Sequence, residues 1–128
     1  MLALTLARHG SVRDGLLALL EATPGIDQIV QVEGARPAWD FVQTLCPDIT
    51  LIYSTSLTQD ILTFIENVHG IYSSPILTIV SSEADRKAAM DAGADMAIIE
   101  GLPSSKLSLY ITTLVQQSKQ NELWQQVH

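Results

Sequence analysis

Residues 75–100, PILTIVSSEADRKAAMDAGADMAIIE, decide the fold. PILTIV at 75–80 is a short, mostly apolar run rich in β-branched side chains, as expected of a strand covered on both faces. Residues 83–92 follow as a short polar helix, and Gly93 supplies the residue type that favours a helix C-terminus. DMAIIE at 95–100 then reads as a second strand. A strand, a helix and a strand joined by such short turns describe two parallel strands with a crossover helix between them.

The same alternation extends towards the N-terminus. CPDITLIY at 46–53 places a buried strand over 48–53, just after a helix that Pro47 ends. Ala38, Phe41, Val42 and Leu45 form the expected inner face of that helix, and Pro37 suits its first turn. LALTLA at 2–7 is a strand, and DQIVQVE at 27–33 is a shorter, more polar one suited to a sheet edge. Between them, Val12, Leu16, Leu19 and Leu20 make a helical stripe over 11–22, with Ser11 and Asp14 spaced as a capping box. Thr23, Pro24 and Gly25 break that helix. The third helix spans 58–68, with Ile61, Leu62, Ile65 and Val68 inward. The last carries Leu107, Tyr110, Ile111, Leu114 and Val115 as its stripe.

Five strands alternating with five helices predict an α/β, doubly wound parallel sheet with helices on both faces, a three-layer sandwich. The expected strand order is the flavodoxin-like 2-1-3-4-5.

Composition narrows the function. The 128 residues suffice for one domain, and 47% hydrophobic against 16% charged argues for a packed core. Seven basic against fourteen acidic side chains give a net charge of −7. The lysines and arginines are scattered, so the basic face that nucleic-acid binding requires is missing and no nucleic acid is expected on this domain. No apolar run reaches membrane-span length, and the opening MLALTLARHG has neither a basic leader nor a small-residue cleavage site. Cys46 is the single cysteine, which excludes an internal disulfide and a cysteine cluster for zinc and fits a cytoplasmic protein.

With these segments in hand, the chain resembles the receiver domain of response regulators, and among them those preceding helix-turn-helix transcription factors. The likeness rests on RDGLLALLE at 13–21, CPDITLIY at 46–53, PILTIVSSE at 75–83 and AGAD at 92–95, and spans roughly residues 2 to 116. It implies a receiver-like domain over 1–117. Residues 118–128 are a polar tail, read as a frayed helix end or the start of a linker. It also implies an output domain beyond residue 128 as a possible partner.

A working receiver holds a carboxylate nucleophile after its third strand and two acids after its first for magnesium. A lysine follows the fifth strand and a hydroxyl the fourth. Phosphoryl transfer in such a site is positioning and charge neutralisation, and magnesium requires hard oxygen ligands. On this sequence the resemblance puts the nucleophile position at Tyr53, the acidic pair at Ala7 and Arg8, the lysine at Glu100 and the aromatic switch position at Ala97. Ser81 alone keeps its residue type. A phenol supplies no carboxylate and an arginine repels the metal. Neighbouring Ile52 and Ser54 are not acids either, so a one-residue slip restores nothing. No catalytic residue, metal or cofactor is expected.

Three constellations remain. Arg8 and Glu100 invert the acid-plus-lysine arrangement, which suggests an ion pair plugging the old pocket with the Tyr53 hydroxyl alongside. Against this stands the reading of both as solvated loop charges. Ser54, Thr55, Ser56, Thr58, Ser81 and Ser82, with Arg8 and His9, either rim a small anion or metabolite site at the sheet's carboxyl edge or serve turns and caps. His9 lacks an orienting group and an oxyanion site, so it reads as a plain loop residue, and neither His69 nor His128 joins it in a metal cluster. Cys46 reads as half-buried packing and Trp39 as cover for the flank of the second helix.

The resulting expectation is a phosphorylation-independent pseudo-receiver, a signalling module that binds a protein partner or dimerises, with Tyr110, Leu114 and Trp124 as possible interface residues. The alternative is a small-ligand-sensing domain that uses the hydroxyl-rich edge.

Overall fold

The computed structural model describes residues 1–8, 10–72 and 74–127, and within them the side chains of all but Ser11, Ser104 and residues 118–127. Strands and helices alternate throughout: β1 (Leu2–Leu6), α1 (Ser11–Glu21), β2 (Gln28–Val32), α2 (Ala35–Leu45), β3 (Ile49–Tyr53), α3 (Gln59–Ile71), β4 (Ile76–Val80), α4 (Glu83–Ala92), β5 (Met96–Ile99) and α5 (Ser104–Val127). The strands form one sheet in the order β2-β1-β3-β4-β5, every neighbouring pair parallel. The order expected from the sequence is the order observed.

Side chains along each strand alternate between two cores, because successive residues of a strand point to opposite faces. Leu4, Ile52 and Ala97 join α2, α3 and α4 on one face. Leu51, Tyr53, Ile79 and Ile98 join α1 and α5 on the other. β4 is buried along its whole length, whereas β2 at the sheet edge stays partly exposed.

Two aspartates pin the strands at the amino edge. Asp48 donates its backbone N–H to the Leu2 carbonyl (2.8 Å) while its carboxylate accepts from the Leu2 N–H (2.7 Å). Asp95 repeats the device on Ile76, at 3.0 and 2.7 Å. These are the aspartates of the PD and AGAD segments, so the motifs that carry the resemblance lock β1 against β3 and β4 against β5.

Several sequence expectations need correction. Gly10, not Ser11, is the N-cap of α1, and it has no side chain with which to cap. The Asp14 N–H bonds the Gly10 carbonyl, so the helix begins one residue before the capping-box phase. Val12 and Leu45 are 45% and 56% exposed, Val12 in the first turn of α1 and Leu45 at the last residue of α2. Phe64 fills the α3 core position that the stripe omitted. Cys46 is exposed, not half-buried, because it closes α2 in the left-handed conformation at φ 46°. Leu114 is 1% exposed and belongs to the core, not to an interface. The backbone of 118–127 continues α5, since SKQNELWQQV contains neither Gly nor Pro and is rich in helix formers. Trp39 does cover its helix's flank, meeting Tyr72 edge-on at 6.3 Å.

Candidate functional site

The carboxyl edge of a parallel sheet collects the residues that end or follow each strand, and three of them meet here. Tyr53 is the last residue of β3 and pairs in register with Ile79. Ser81 follows β4. Glu100 follows β5, and its backbone N–H extends the sheet ladder by one bond to the Val80 carbonyl, 2.8 Å away. That bond fixes where the Glu100 carboxylate can reach. The Tyr53 hydroxyl donates to Glu100 Oε2 at 2.6 Å, and the Ser81 hydroxyl donates to Oε1 at 3.3 Å.

Hydrogen bonding to the Glu100 carboxylate is the main cause that raises the Tyr53 phenol above its ordinary value of 10.0. Partial burial and the negative charge of Glu100 act in the same direction, because all three disfavour a phenolate. The phenol is therefore a donor at neutral pH and not a nucleophile.

Arg8 does not join this cluster. Among the described residues, no ion pair links Arg8 to Glu100. The strand order accounts for this. β1 lies three steps from β5, or about 14 Å at the usual strand spacing, whereas Tyr53 starts from β3, only two steps away. The expected charge swap is replaced by a neutral donor from the nearer strand.

Arg8 is exposed and lines a cleft of about 700 Å³ between β1, α1, β3 and α3. Ala7, Ser54, Thr55, Ser56 and Thr58 share it. Within the hydroxyl set, much of the chemistry is local. Ser54 donates to the Ser56 carbonyl, Thr58 caps α3 through the Ile61 N–H, and Ser82 caps α4 through the Asp85 N–H. Turn and cap service thus accounts for these three side chains.

Ala97 is 8% exposed and packed in the α2–α4 core, so the position expected for an aromatic switch is a small buried wedge. Tyr110 is partly buried on α5, whereas the Trp124 side chain, His9 and His128 lie outside the described residues. Among the described residues, no group of three or more His, Cys, Asp or Glu could hold a metal ion.

The sequence matches no protein-family model and no curated protein. Solved structures do match. The two-component transcriptional regulator AraC from Clostridium phytofermentans is similar with a TM-score of 0.79 at 17% identity, covering 97% of this chain and 98% of that one. A LuxR-family two-component response regulator from Aurantimonas gives 0.77 at 18%, covering 99% and 98%. A LuxR-family DNA-binding response regulator from Silicibacter pomeroyi gives 0.74 at 20%, covering 91% and 92%. The fold is that of response-regulator receiver domains: five parallel strands in the order 2-1-3-4-5 with five helices.

Proposed function

We propose that the chain is a pseudo-receiver, a signalling module that works without phosphorylation or catalysis of its own. One observation carries the reading: the hydroxyls of Tyr53 and Ser81 converge on the Glu100 carboxylate, at the edge where a receiver would gather a phosphorylated aspartate and its lysine. A negative charge stands where the phosphoryl group needs a positive one. At the first strand, Ala7 and Arg8 offer no carboxylate for magnesium.

Without chemistry at this edge, the module acts through its surface, binding a protein partner or a second copy. The exposed part of α5 around Tyr110 is the candidate face, and Leu114 supports it from within. The regulatory half of a transcriptional or two-component-type regulator is the setting that the structural neighbours favour, with a cytoplasmic location in keeping with the exposed thiol of Cys46.

The test is incubation of the purified protein with magnesium and a small acyl-phosphate donor, followed by intact-mass measurement. The expected result is no gain of a phosphoryl mass. A gain that hydroxylamine removes would reveal an acyl phosphate and overturn the reading.

A second reading has its own support in the 700 Å³ cleft that holds Arg8 beside Thr55 and Ser56, a setting suited to a small anion. A rise in melting temperature with inorganic phosphate or a small carboxylate, lost in Arg8→Ala, would favour it.

A further inference from the structure

A different groove lies on the opposite side of Tyr53, between α1 and the turn from β5 into α5, with a volume of about 690 Å³. Leu16, Leu19, Ile79, Ile98 and Leu107 form its floor and walls. Its rim is apolar too: Val12, Ile99 and Leu102 are 45%, 38% and 37% exposed. Large apolar side chains left in water around an apolar trough mark a surface made to be covered. The volume falls within the roughly 300–1,000 Å³ of small-ligand sites.

The charge of the groove selects its occupant. Among the described lining residues, Glu100 is the one ionised side chain. Each of its oxygens accepts a single hydrogen bond from Tyr53 or Ser81, and a carboxylate has about four acceptor positions. Acceptor capacity therefore remains for a cationic donor, while an anion meets repulsion from Glu100 and from a net charge of −7. The same net charge on both partners opposes a second copy seated here.

We propose that this groove binds small amphipathic amines, with the apolar body against Leu16, Ile98 and Leu107 and the ammonium head on the Glu100 carboxylate. This goes beyond the pseudo-receiver reading and does not depend on it. Tyr53 lines both this groove and the Arg8 cleft, so an occupant would touch the wall that separates them. That contact would give such a module a chemical input in place of phosphate.

The experiment is a titration of the full chain with octylammonium, followed by backbone amide chemical shifts, with octanoate and octanol as matched probes. Saturable shifts at Gly15, Leu19, Ile98 and Leu107 are expected, with octylammonium binding about tenfold tighter than octanol and octanoate weakest. Glu100→Gln should erase the preference for the amine and leave octanol binding in place. Gly15→Leu should block all three probes. A Cβ at Gly15 meets nothing within 4 Å, so the new side chain starts in open space beside the groove, and an undiminished melting temperature checks that the fold is kept. Equal affinity for octylammonium and octanoate would overturn the proposal. So would unchanged binding in Gly15→Leu, shifts outside the groove, or no saturable shift. Movement of the same amides on dilution of the protein alone would assign the groove to a second copy and overturn it as well.

Discussion

The phenol of Tyr53 donates a 2.6 Å hydrogen bond to Glu100 Oε2, joining the end of β3 to the residue after β5 across the intervening β4. The bond ties two strands that share no ladder of their own, and it does so at the edge where a receiver carries out its chemistry. Removing the hydroxyl in Tyr53→Phe should cost about 0.5–1 kcal/mol, at the modest end for a charged acceptor because Glu100 is exposed. Urea denaturation of the two proteins checks this.

The same bond sets a pH dependence. The folded-state phenol titrates above its ordinary 10.0, so the unfolded chain gives up this proton first as pH rises. The contribution is therefore complete below pH 10 and declines as pH climbs from 10 through the raised folded value. The stability difference between the native protein and Tyr53→Phe should be flat from pH 6 to 9 and shrink above about 10. A difference that grew over that alkaline range would show the sign to be wrong.

Arg8→Ala should leave stability within about 0.5 kcal/mol of the parent, since the side chain is exposed and forms no ion pair with Glu100. The Tyr53 phenol should titrate as before, because it is raised by its hydrogen bond to Glu100, by partial burial and by the Glu100 charge, none of which involves Arg8. Spectrophotometric titration of the tyrosines in both proteins tests the second half.

The scaffold was legible because its signals are local. Runs such as PILTIV and turns such as AGAD declare a strand or a helix end within a few residues, and strand order follows once the alternation is seen. The Tyr53 hydroxyl was anticipated beside Glu100, and it is there; the Arg8 partner expected with it is not. Tyr53 could be placed at the end of its strand, and Ser81 and Glu100 just after theirs, but whether Arg8 would reach Glu100 depended on lateral distance across the sheet. An arginine starting three strands away loses to a tyrosine two strands away, and only strand order joined to reach settles that. The exposure of Val12 was hidden for a related reason. Helical periodicity counts apolar residues on a stripe without showing how much cover a helix's first turn receives.

Gly93 closes α4 at φ 116°, a left-handed conformation that side chains with a Cβ rarely adopt. A Cβ here would also lie 2.5 Å from Cγ of His69 on α3. Gly93→Ala should therefore cost more than about 1 kcal/mol, combining backbone strain with a displaced imidazole. Adding His69→Ala should recover the part due to the imidazole, and leave the backbone strain together with the 2.7 Å approach to the His69 Cβ. A double-mutant cycle by chemical denaturation separates them.

Thr50 and Thr78 lie wholly buried on β3 and β4, and neither Oγ1 has a hydrogen-bond partner. A buried hydroxyl without a partner keeps its desolvation cost with no return. Thr50→Val and Thr78→Val preserve the branched shape that suits a strand, and each should raise stability by about 1 kcal/mol. Loss of stability in either variant would mean that its hydroxyl is satisfied in solution.

Cys46 holds φ at 46° to end α2, the one non-glycine residue with positive φ among those described. Its N–H bonds the Val42 carbonyl, so the turn has its hydrogen bond and the remaining cost lies in placing a Cβ in the left-handed region, about 1 kcal/mol. Pro47 follows directly. The residue before a proline is already confined to fewer conformations, so the added chain freedom of a glycine in the unfolded state is smaller here than elsewhere. Relief of the left-handed strain should therefore win, and Cys46→Gly should raise stability by about 0.5 kcal/mol. The exposed thiol is lost in the same step, so a comparison with Cys46→Ala separates the effects: alanine removes the sulfur but keeps the Cβ, and it should show no gain. If glycine and alanine stabilise equally, the thiol and not the backbone is the source.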